Sequence, residues 1–433
     1  MTPRTESVVI LGATLTSLVA AFGLASRGYR VTIVEHSRWD DDAALPHYLL
    51  GCHRDTWQLL ATLSLTTPNL QARTTPIEFL LPDSRIVVYR TTSLPGSLHW
   101  IAGLVRFRGL AWNDRWQLLS YLERVWEQAA SVPTRLDART AEGWLTAIGQ
   151  SADACTAVWD PLARFLTGNR LIELSAAAYI QTLLAPFLTG ANGSRCTWFD
   201  EPAYTRLIHE LHRHLSKLGA VRLPQSDLPS LYFDRQQVSH LRLADGRSLQ
   251  ATWYLSGLPR QALLGLLPDR ALTRYSYFAQ MGDLTELPAV RVRLSDRTLQ
   301  PHARVILLSG RTFDSISCST NDAGETLYEL SAANASSLLE LSDVQIADLG
   351  EKDVQACQLT AAPTSLRLLD ITRLHHADLS MAAGAALLRP IQRSPIDNLL
   401  VAGPWTDTGW PSGMEGAVVS AQRCVEIVAG TAA

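Results

Sequence analysis

Two glycine-containing turns, one near each end of the chain, have the residue types of a nucleotide-binding site. The first is a six-residue turn after a short apolar run: Gly12, Ala13, Thr14, Leu15, Thr16 and Ser17. Such a turn, placed before a helix, presents backbone N–H groups and a helix N-terminus to a pyrophosphate. Glu35 stands 23 residues beyond Gly12, a spacing at which a carboxylate accepts hydrogen bonds from an adenosine ribose. We predict that these residues bind a dinucleotide.

The first turn departs from the usual glycine fingerprint at two positions. Thr14 and Ser17 stand where the fingerprint has its second and third glycines. A side chain at position 14 crowds the place where backbone approaches the phosphates, whereas serine is small enough for close packing of helix on strand. The alternative interpretation is therefore a Rossmann-like unit that serves only as a scaffold.

The second turn lies near the C-terminus and predicts the other half of the cofactor site. Residues 398–403 indicate a strand that ends in glycine, and helical spacing begins again at Met414. Glycines before a helix bring backbone amides and the positive end of the helix dipole to a ligand. The residues assigned to the cofactor from this segment are Gly403, Gly409, Gly413, Met414 and Glu415.

The elements that position the first turn are a strand, a helix and a second strand. Residues 8–11 form a β-branched apolar run typical of a buried parallel strand. Residues 18–27 have helical spacing, Gly28 ends the helix, and residues 29–34 form the second strand. This order predicts an α/β fold with a Rossmann-like domain.

Two domains built from discontinuous segments follow from these placements. The nucleotide-binding domain would comprise residues 1–70, 200–272 and 395–433, and the substrate-binding domain residues 71–199 and 273–394. The second domain reads as α+β, because residues 136–188 have helical spacing and residues 289–294 and 304–308 alternate like strands.

Composition excludes several classes of protein. The chain has 433 residues, a net charge of -3 and 47% apolar residues, which argues against disorder and against a nucleic-acid partner. Its six cysteines show neither metal-ligand spacing nor the density of a disulfide scaffold. We therefore expect free thiols, a cytoplasmic protein and no metal site.

Five segments along nearly the whole chain give a resemblance to a known family. They are residues 47–54 (HYLLGCHR), 98–115, 159–162 (WDPL), 238–259 and 408–418. In these segments the chain resembles the hydroxysqualene dehydroxylases, which are squalene-associated FAD-dependent desaturases within the amine oxidase and phytoene desaturase superfamily. The FAD-binding fingerprint is degenerate in comparison.

The resemblance implies an FAD-dependent oxidoreductase of squalene and hopanoid biosynthesis. It would remove the allylic hydroxyl of hydroxysqualene, an isoprenoid, by reduction to give squalene. His47 matches the family's histidine and would donate a proton to the leaving hydroxyl, the alternative being a hydrogen-bonded histidine between the domains. Asp160 is either a buried acid or, since proline follows it, the first residue of a helix.

Three departures from the family fall near the cofactor and keep a second function open. Residues 36–42 lack the family's glycine- and arginine-containing loop, and residues 43–46 replace its polar Asp-Asn-Gly-Gln stretch. Pro404 stands where the family has an aspartate. The alternative is a non-catalytic relative that has lost flavin and binds an isoprenoid or a sister subunit.

One segment predicts a contact with a membrane surface. Residues 98–128 contain four tryptophans and several arginines among aliphatic residues. Tryptophan and arginine on an amphipathic helix suit the interface of a bilayer, here peripherally on the inner membrane. The alternative is an ordinary helix pair that covers the substrate tunnel.

Overall fold

The computed structural model describes residues 6–36, 39, 48–66, 73–90, 98–126, 136–188, 192–199, 201–297, 304–320, 324–359 and 366–430. The strands are β1 (Ser7–Leu11), β2 (Arg30–Glu35), β3 (Tyr48–Leu50), β4 (Arg73–Thr75), β5 (Ile77–Leu80), β6 (Ile86–Val88), β7 (Cys196–Trp198), β8 (Val221–Pro224), β9 (Ser230–Asp234), β10 (Gln237–Arg242), β11 (Ser248–Leu249), β12 (Trp253–Ser256), β13 (Glu286–Asp296), β14 (Arg304–Leu308), β15 (Ser315–Thr320), β16 (Thr326–Ala333), β17 (Leu366–Leu379) and β18 (Leu399–Val401).

The helices fall partly between these strands and partly in two consecutive groups, α3 to α8 and α10 to α12. They are α1 (Leu15–Ser26), α2 (Arg54–Thr62), α3 (Leu98–Arg106), α4 (Trp112–Trp126), α5 (Ala141–Ala147), α6 (Ala152–Ala154), α7 (Asp160–Thr167), α8 (Ala176–Leu188), α9 (Glu201–Lys217), α10 (Arg260–Leu266), α11 (Asp269–Arg274), α12 (Ser276–Asp283), α13 (Ser336–Leu339), α14 (Asp343–Ala356) and α15 (Met414–Ala429). A π-helical turn covers Cys155–Trp159 and a 3₁₀ turn covers Ala385–Leu388.

A five-stranded parallel sheet forms the half that is predicted to bind the nucleotide, in the order β18-β12-β1-β2-β8. Its strands come from both ends and the middle of the chain, so discontinuous segments build one sheet. The strands are short and apolar, and helices α1, α9 and α15 contribute to the hydrophobic core beside them. The Rossmann-like α/β prediction is confirmed.

The first helix begins three residues earlier than the apolar spacing indicates. Helix α1 starts at Leu15, because the Thr14 hydroxyl caps it by accepting a hydrogen bond from the Ser17 backbone N–H at 3.3 Å. Leu15, Thr16 and Ser17 therefore form the first turn of the helix. The tight bend rests on Gly12, whose φ of +93° favours a residue without a side chain.

The substrate half is organised around a seven-stranded mixed sheet in the order β17-β13-β16-β15-β14-β5-β6. The predicted strand 289–294 lies inside β13, and 304–308 coincides with β14. Helices α5 to α8 occupy the region predicted to be helical. These elements confirm the α+β character of this half.

Smaller features settle two further predictions. Asp160 is the first residue of α7, and its carboxylate accepts hydrogen bonds from Arg164 Nε at 2.7 Å and Leu171 N at 3.0 Å. The helix-start interpretation is therefore the correct one.

All six cysteines are free and buried. Among the helices of the described ranges, none has the length and apolarity to cross a bilayer.

Candidate cofactor and substrate site

A cavity of about 470 Å³ lies between the two sheets, and we call it the interdomain cavity. Thr14 and Thr16 line it from the start of α1, and Gly257 lines it just beyond β12. Trp405, beyond β18, and Asp378, on β17, line other parts. The carboxyl ends of parallel strands therefore border the cavity, as expected of a ligand site in an open α/β sheet.

Side-chain packing compensates for the missing fingerprint glycines. Thr14 Oγ1 donates a 2.7 Å hydrogen bond to the Gly257 carbonyl, and Ser17 Oγ donates one of 3.3 Å to the Leu11 carbonyl. A Cβ at position 257 would overlap Ser17 Oγ. The glycine that allows close packing is therefore Gly257, just beyond β12, and not a residue of α1.

The pyrophosphate end of the site fits a dinucleotide cofactor. The start of α1 faces the interdomain cavity through Thr14 and Thr16, and its first turn has no acidic residue. The helix dipole and the amides of that turn therefore favour an anion. Gly257 lines the cavity directly beside this turn, to which the hydrogen bond from Thr14 Oγ1 joins it.

Glu35 lies at the end of β2 but outside the lining of the interdomain cavity. Arg222 on β8 holds its carboxylate with two hydrogen bonds, Nε to Oε1 at 2.5 Å and Nη2 to Oε2 at 2.9 Å. A carboxylate has about four lone-pair sites, so this pair leaves acceptor capacity for ribose hydroxyls. The ribose-binding role of Glu35 stays a prediction.

The start of α15 lies against a smaller cavity of about 30 Å³, which Gly413, Met414 and Glu415 line. Glu415 is buried and accepts hydrogen bonds from Asp55 N at 3.1 Å, Thr56 N at 2.9 Å and Thr56 Oγ1 at 2.6 Å. Burial raises the pKa of Glu415, and these hydrogen bonds act against the rise. The carboxylate that we assigned to cofactor binding therefore caps the start of α2.

The loop after β18 is shaped by an arginine that the sequence did not single out. The Arg389 guanidinium donates to the carbonyls of Trp410 at 2.7 Å, Pro404 at 2.9 Å and Thr406 at 2.5 Å. Burial lowers the pKa of Arg389 to about 10. Pro404 therefore accepts a hydrogen bond from Arg389 through its backbone oxygen, although it supplies no carboxylate.

Gly403 and Gly409 shape this loop and do not line the cavities. A Cβ at Gly403, where φ is +158°, would overlap the Trp405 ring, whose Nε1 donates to the Leu258 carbonyl at 3.3 Å. Gly409 has φ +79°, a left-handed conformation that glycine adopts without strain. Of the sequence-assigned cofactor residues, Thr14 and Thr16 alone line the interdomain cavity.

A second space of about 70 Å³, the inner cavity, adjoins the first. Ala377, Asp378 and Ser412 line both cavities, so they stand at the boundary. Burial raises the pKa of Asp378 to about 7, while Arg291 lowers it and Asp314 raises it further. A carboxyl group with this pKa exchanges protons near neutral pH.

Asp314 is a second carboxyl group on the inner cavity. It is buried, and both of its oxygens accept hydrogen bonds. Oδ1 accepts from Arg164 Nη1 at 2.9 Å, and Oδ2 accepts from Ala333 N at 2.5 Å. Burial raises its pKa to about 6, against the lowering effect of Arg164. This carboxylate therefore serves mainly to fix Arg164 and the edge of β16.

The residues at the cavity boundary have no sequence motif. Asp378 belongs to a strand with charged residues on both faces, and nothing in its neighbours marks it as a half-buried group that lines two cavities. His47 lies outside the described residues, so its proton-donor role stays a prediction. In the ranges that the structure describes, no three His, Cys, Asp or Glu side chains gather as metal ligands.

Comparison with known proteins gives this geometry a family. Residues 46–429 match the family described as flavin containing amine oxidoreductase. The chain belongs to that family. It is therefore an oxidoreductase of a flavin-containing family, and the family implies a flavin cofactor.

Relatives within the wider superfamily are carotenoid desaturases. The 15-cis-phytoene desaturase of Solanum lycopersicum is 24% identical over 97% of this chain and 77% of its own length. The 15-cis-phytoene desaturase of Synechococcus elongatus is 25% identical over 97% of this chain and 95% of its own. These matches support the amine oxidase and phytoene desaturase superfamily.

Solved structures show the same fold. An oxidoreductase from Methanosarcina mazei superposes with a TM-score of 0.72 at 14% identity, over 97% of this chain and 100% of that one. Cyclohexylamine oxidase from Brevibacterium oxydans gives a TM-score of 0.67 at 15% identity, over 99% of both chains. At these identities the likeness concerns the fold alone.

Proposed function

We propose that this protein is an FAD-dependent oxidoreductase that removes the allylic hydroxyl of hydroxysqualene to give squalene. The observation that carries the proposal is the interdomain cavity, which runs from the helix N-terminus of α1 to the carboxyl group of Asp378. The relatives named phytoene desaturase and zeta-carotene desaturase support an isoprenoid substrate.

The chain supplies binding and positioning for this reaction. The start of α1, with Thr14 and Thr16, would hold the pyrophosphate. The loop that Arg389 fixes would hold the far end of the cofactor near Ser412. A bound FAD, once reduced, supplies the hydride that replaces the hydroxyl. The inner cavity, with Tyr48, Phe165 and Leu166 on its walls, would receive the reacting carbon.

The test is a visible absorption spectrum of the purified protein after incubation with excess FAD and desalting. We expect retained flavin, followed by anaerobic conversion of hydroxysqualene to squalene when the flavin has been reduced. Retained flavin without conversion would overturn the substrate assignment while leaving a flavin enzyme. Absence of flavin under all conditions would overturn the enzyme assignment.

A second candidate rests on the engagement of Glu35 by Arg222. The Glu35–Arg222 ion pair and the proline at position 404, where the family has an aspartate, both favour a second interpretation. In it the protein is a relative that has lost flavin and acts as an isoprenoid-binding or partner subunit. This candidate predicts no retained flavin but measurable binding of hydroxysqualene or squalene by the same preparation. The first candidate therefore predicts flavin absorption in the visible spectrum after desalting, and the second predicts none.

We also propose that the helix pair α3–α4 docks on an anionic membrane surface, from which an isoprenoid would be taken. Trp112 and Trp116 are 61% and 59% exposed, and exposed Val105 lies beside them. Arg106 and Arg108 are exposed on the same helix pair, while Asp114 is buried and bonded to Ser151. Exposed tryptophan beside arginine suits the headgroup region of anionic lipids.

Vesicle co-sedimentation tests this surface. We expect the wild type to bind vesicles containing phosphatidylglycerol, and Trp112→Ala with Trp116→Ala to lose most of that binding. Leu387→Ala is a matched control, because Leu387 is an apolar residue that is 84% exposed and lies outside the helix pair, in the 3₁₀ turn Ala385–Leu388. Equal binding by the double variant and the control would refute the assignment.

A further inference from the structure

We propose that Asp378, in place of the His47 that the family resemblance suggests, is the proton donor to the hydroxyl group that leaves the substrate, an inference that rests on the proposed function. The geometry points to this residue because it stands between the cavity assigned to the cofactor and the inner cavity. A carboxyl group at that boundary would face both the space assigned to the reacting carbon and the space assigned to the flavin.

The carboxyl group of Asp378 is available for chemistry. It accepts no hydrogen bond from the residues that the structure describes, whereas neighbouring Asp314 accepts two. Asp378 packs against Gly168, where a Cβ would overlap the carboxyl group. Gly168 has φ +71° and ends α7, so the space for the carboxyl group depends on glycine at this position.

The surroundings keep the proton on Asp378 near neutral pH. Burial disfavours the carboxylate, and the negative charge of Asp314 adds to that effect. Arg291 on β13 lowers the pKa of Asp378, so the carboxyl group can also lose its proton near neutral pH. The other titratable or charged groups on the inner cavity are Tyr48 on β3, Arg164 on α7 and Glu329 on β16.

The proton transfer closes as a balanced step. Asp378 gives its proton to the allylic oxygen, the C–O bond breaks with its electron pair on oxygen, and water leaves. A reduced flavin, when bound, would supply the hydride and its two electrons to the carbon from which the hydroxyl departs. Asp378 is left as a carboxylate and regains a proton from solvent.

Activity and spectroscopy together test the assignment with Asp378→Asn. We expect kcat to fall by about 10²- to 10³-fold, the usual contribution of a general acid, with unchanged substrate affinity. The fall in rate on the alkaline side, with an apparent pKa near that of Asp378, should also disappear. The matched control is Asp370→Asn, which changes an aspartate of the same strand at a surface ion pair with Arg293.

A second readout does not depend on turnover. Infrared difference spectra of the cofactor-free protein between pH 5 and pH 9 should contain a carboxylic acid band that titrates near pH 7. Asp378→Asn should remove this band, and Asp370→Asn should keep it. Asp314, with a pKa of about 6, should keep its own band in both variants. Survival of the band near pH 7 in Asp378→Asn would overturn the proposal.

The outcomes separate this inference from the function on which it rests. A wild type that binds flavin but never converts hydroxysqualene overturns the proposed function, and the acid role falls with it even if the infrared band is present. A wild type that converts the substrate, with Asp378→Asn equal to it in rate and pH profile, overturns only the role of Asp378.

Discussion

Replacing Glu415 by alanine should destabilise the protein through the loss of one buried junction. The Glu415 carboxylate on α15 accepts three hydrogen bonds from the first turn of α2. The variant would leave the backbone N–H of Thr56 buried without its acceptor. A hydrogen bond to a charged group contributes about 1.5–3 kcal/mol, and an orphaned buried donor costs about 1–3 kcal/mol.

The burial of the carboxylate itself offsets part of that gain, as its raised pKa shows. We therefore expect Glu415→Ala to lower the free energy of unfolding by about 3 kcal/mol. Glu415→Gln keeps one acceptor oxygen and should cost about 1–2 kcal/mol. Thr56→Val removes only the hydroxyl donor and should cost about 1 kcal/mol.

Urea unfolding, followed by tryptophan fluorescence, measures these differences through the transition midpoint at constant slope. The matched control is Glu426→Ala, an exposed glutamate on the same helix, for which we expect a change below about 0.5 kcal/mol. A double variant of Thr56→Val and Glu415→Gln should lose less than the sum of the single changes, because both act on one hydrogen bond. Equal stability of Glu415→Ala and Glu426→Ala would refute the reasoning.

Three further predictions concern the cavity and the ribose end. The folded pKa of Asp378, about 7, lies above its ordinary value of 3.8, so its protonated form favours folding at low pH and this contribution is lost as pH rises through 7. Asp378→Asn should therefore gain stability relative to wild type between pH 4 and pH 8, by on the order of 3 kcal/mol in urea titrations; a constant difference would contradict the shifted pKa. Gly168→Ala should lower the free energy of unfolding by about 2–3 kcal/mol in the same assay, because it combines backbone strain at φ +71° with overlap on Asp378. Arg222→Ala should tighten FAD binding about five-fold in a flavin fluorescence titration, since it frees both oxygens of Glu35; weaker binding would show that Arg222 itself contacts the cofactor.

Local patterns in the sequence were enough to predict the elements of the fold. The β1–α1–β2 unit and the helix that begins at Met414 both appear in the structure. Each depends on residues that are neighbours in the chain, such as apolar periodicity and a glycine with positive φ. The start of α1 was placed too late, because the cap by Thr14 is a side-chain contact that periodicity does not show.

The chemistry at the cavity boundary was decided by tertiary structure. Glu35 and Arg222 are 187 residues apart, and Asp55 is 360 residues from Glu415, yet both pairs are in direct contact. Asp378 acquires its raised pKa from burial and from the negative charge of Asp314, while Arg291 acts against the rise. The fold brings these groups together from separate elements. The sequence by itself determined the elements with a clear local pattern, which include the β1–α1–β2 unit and α15, and it determined the wider superfamily. The roles of individual carboxylates depend on burial and on distant partners, and these exist only after the two sheets have come together.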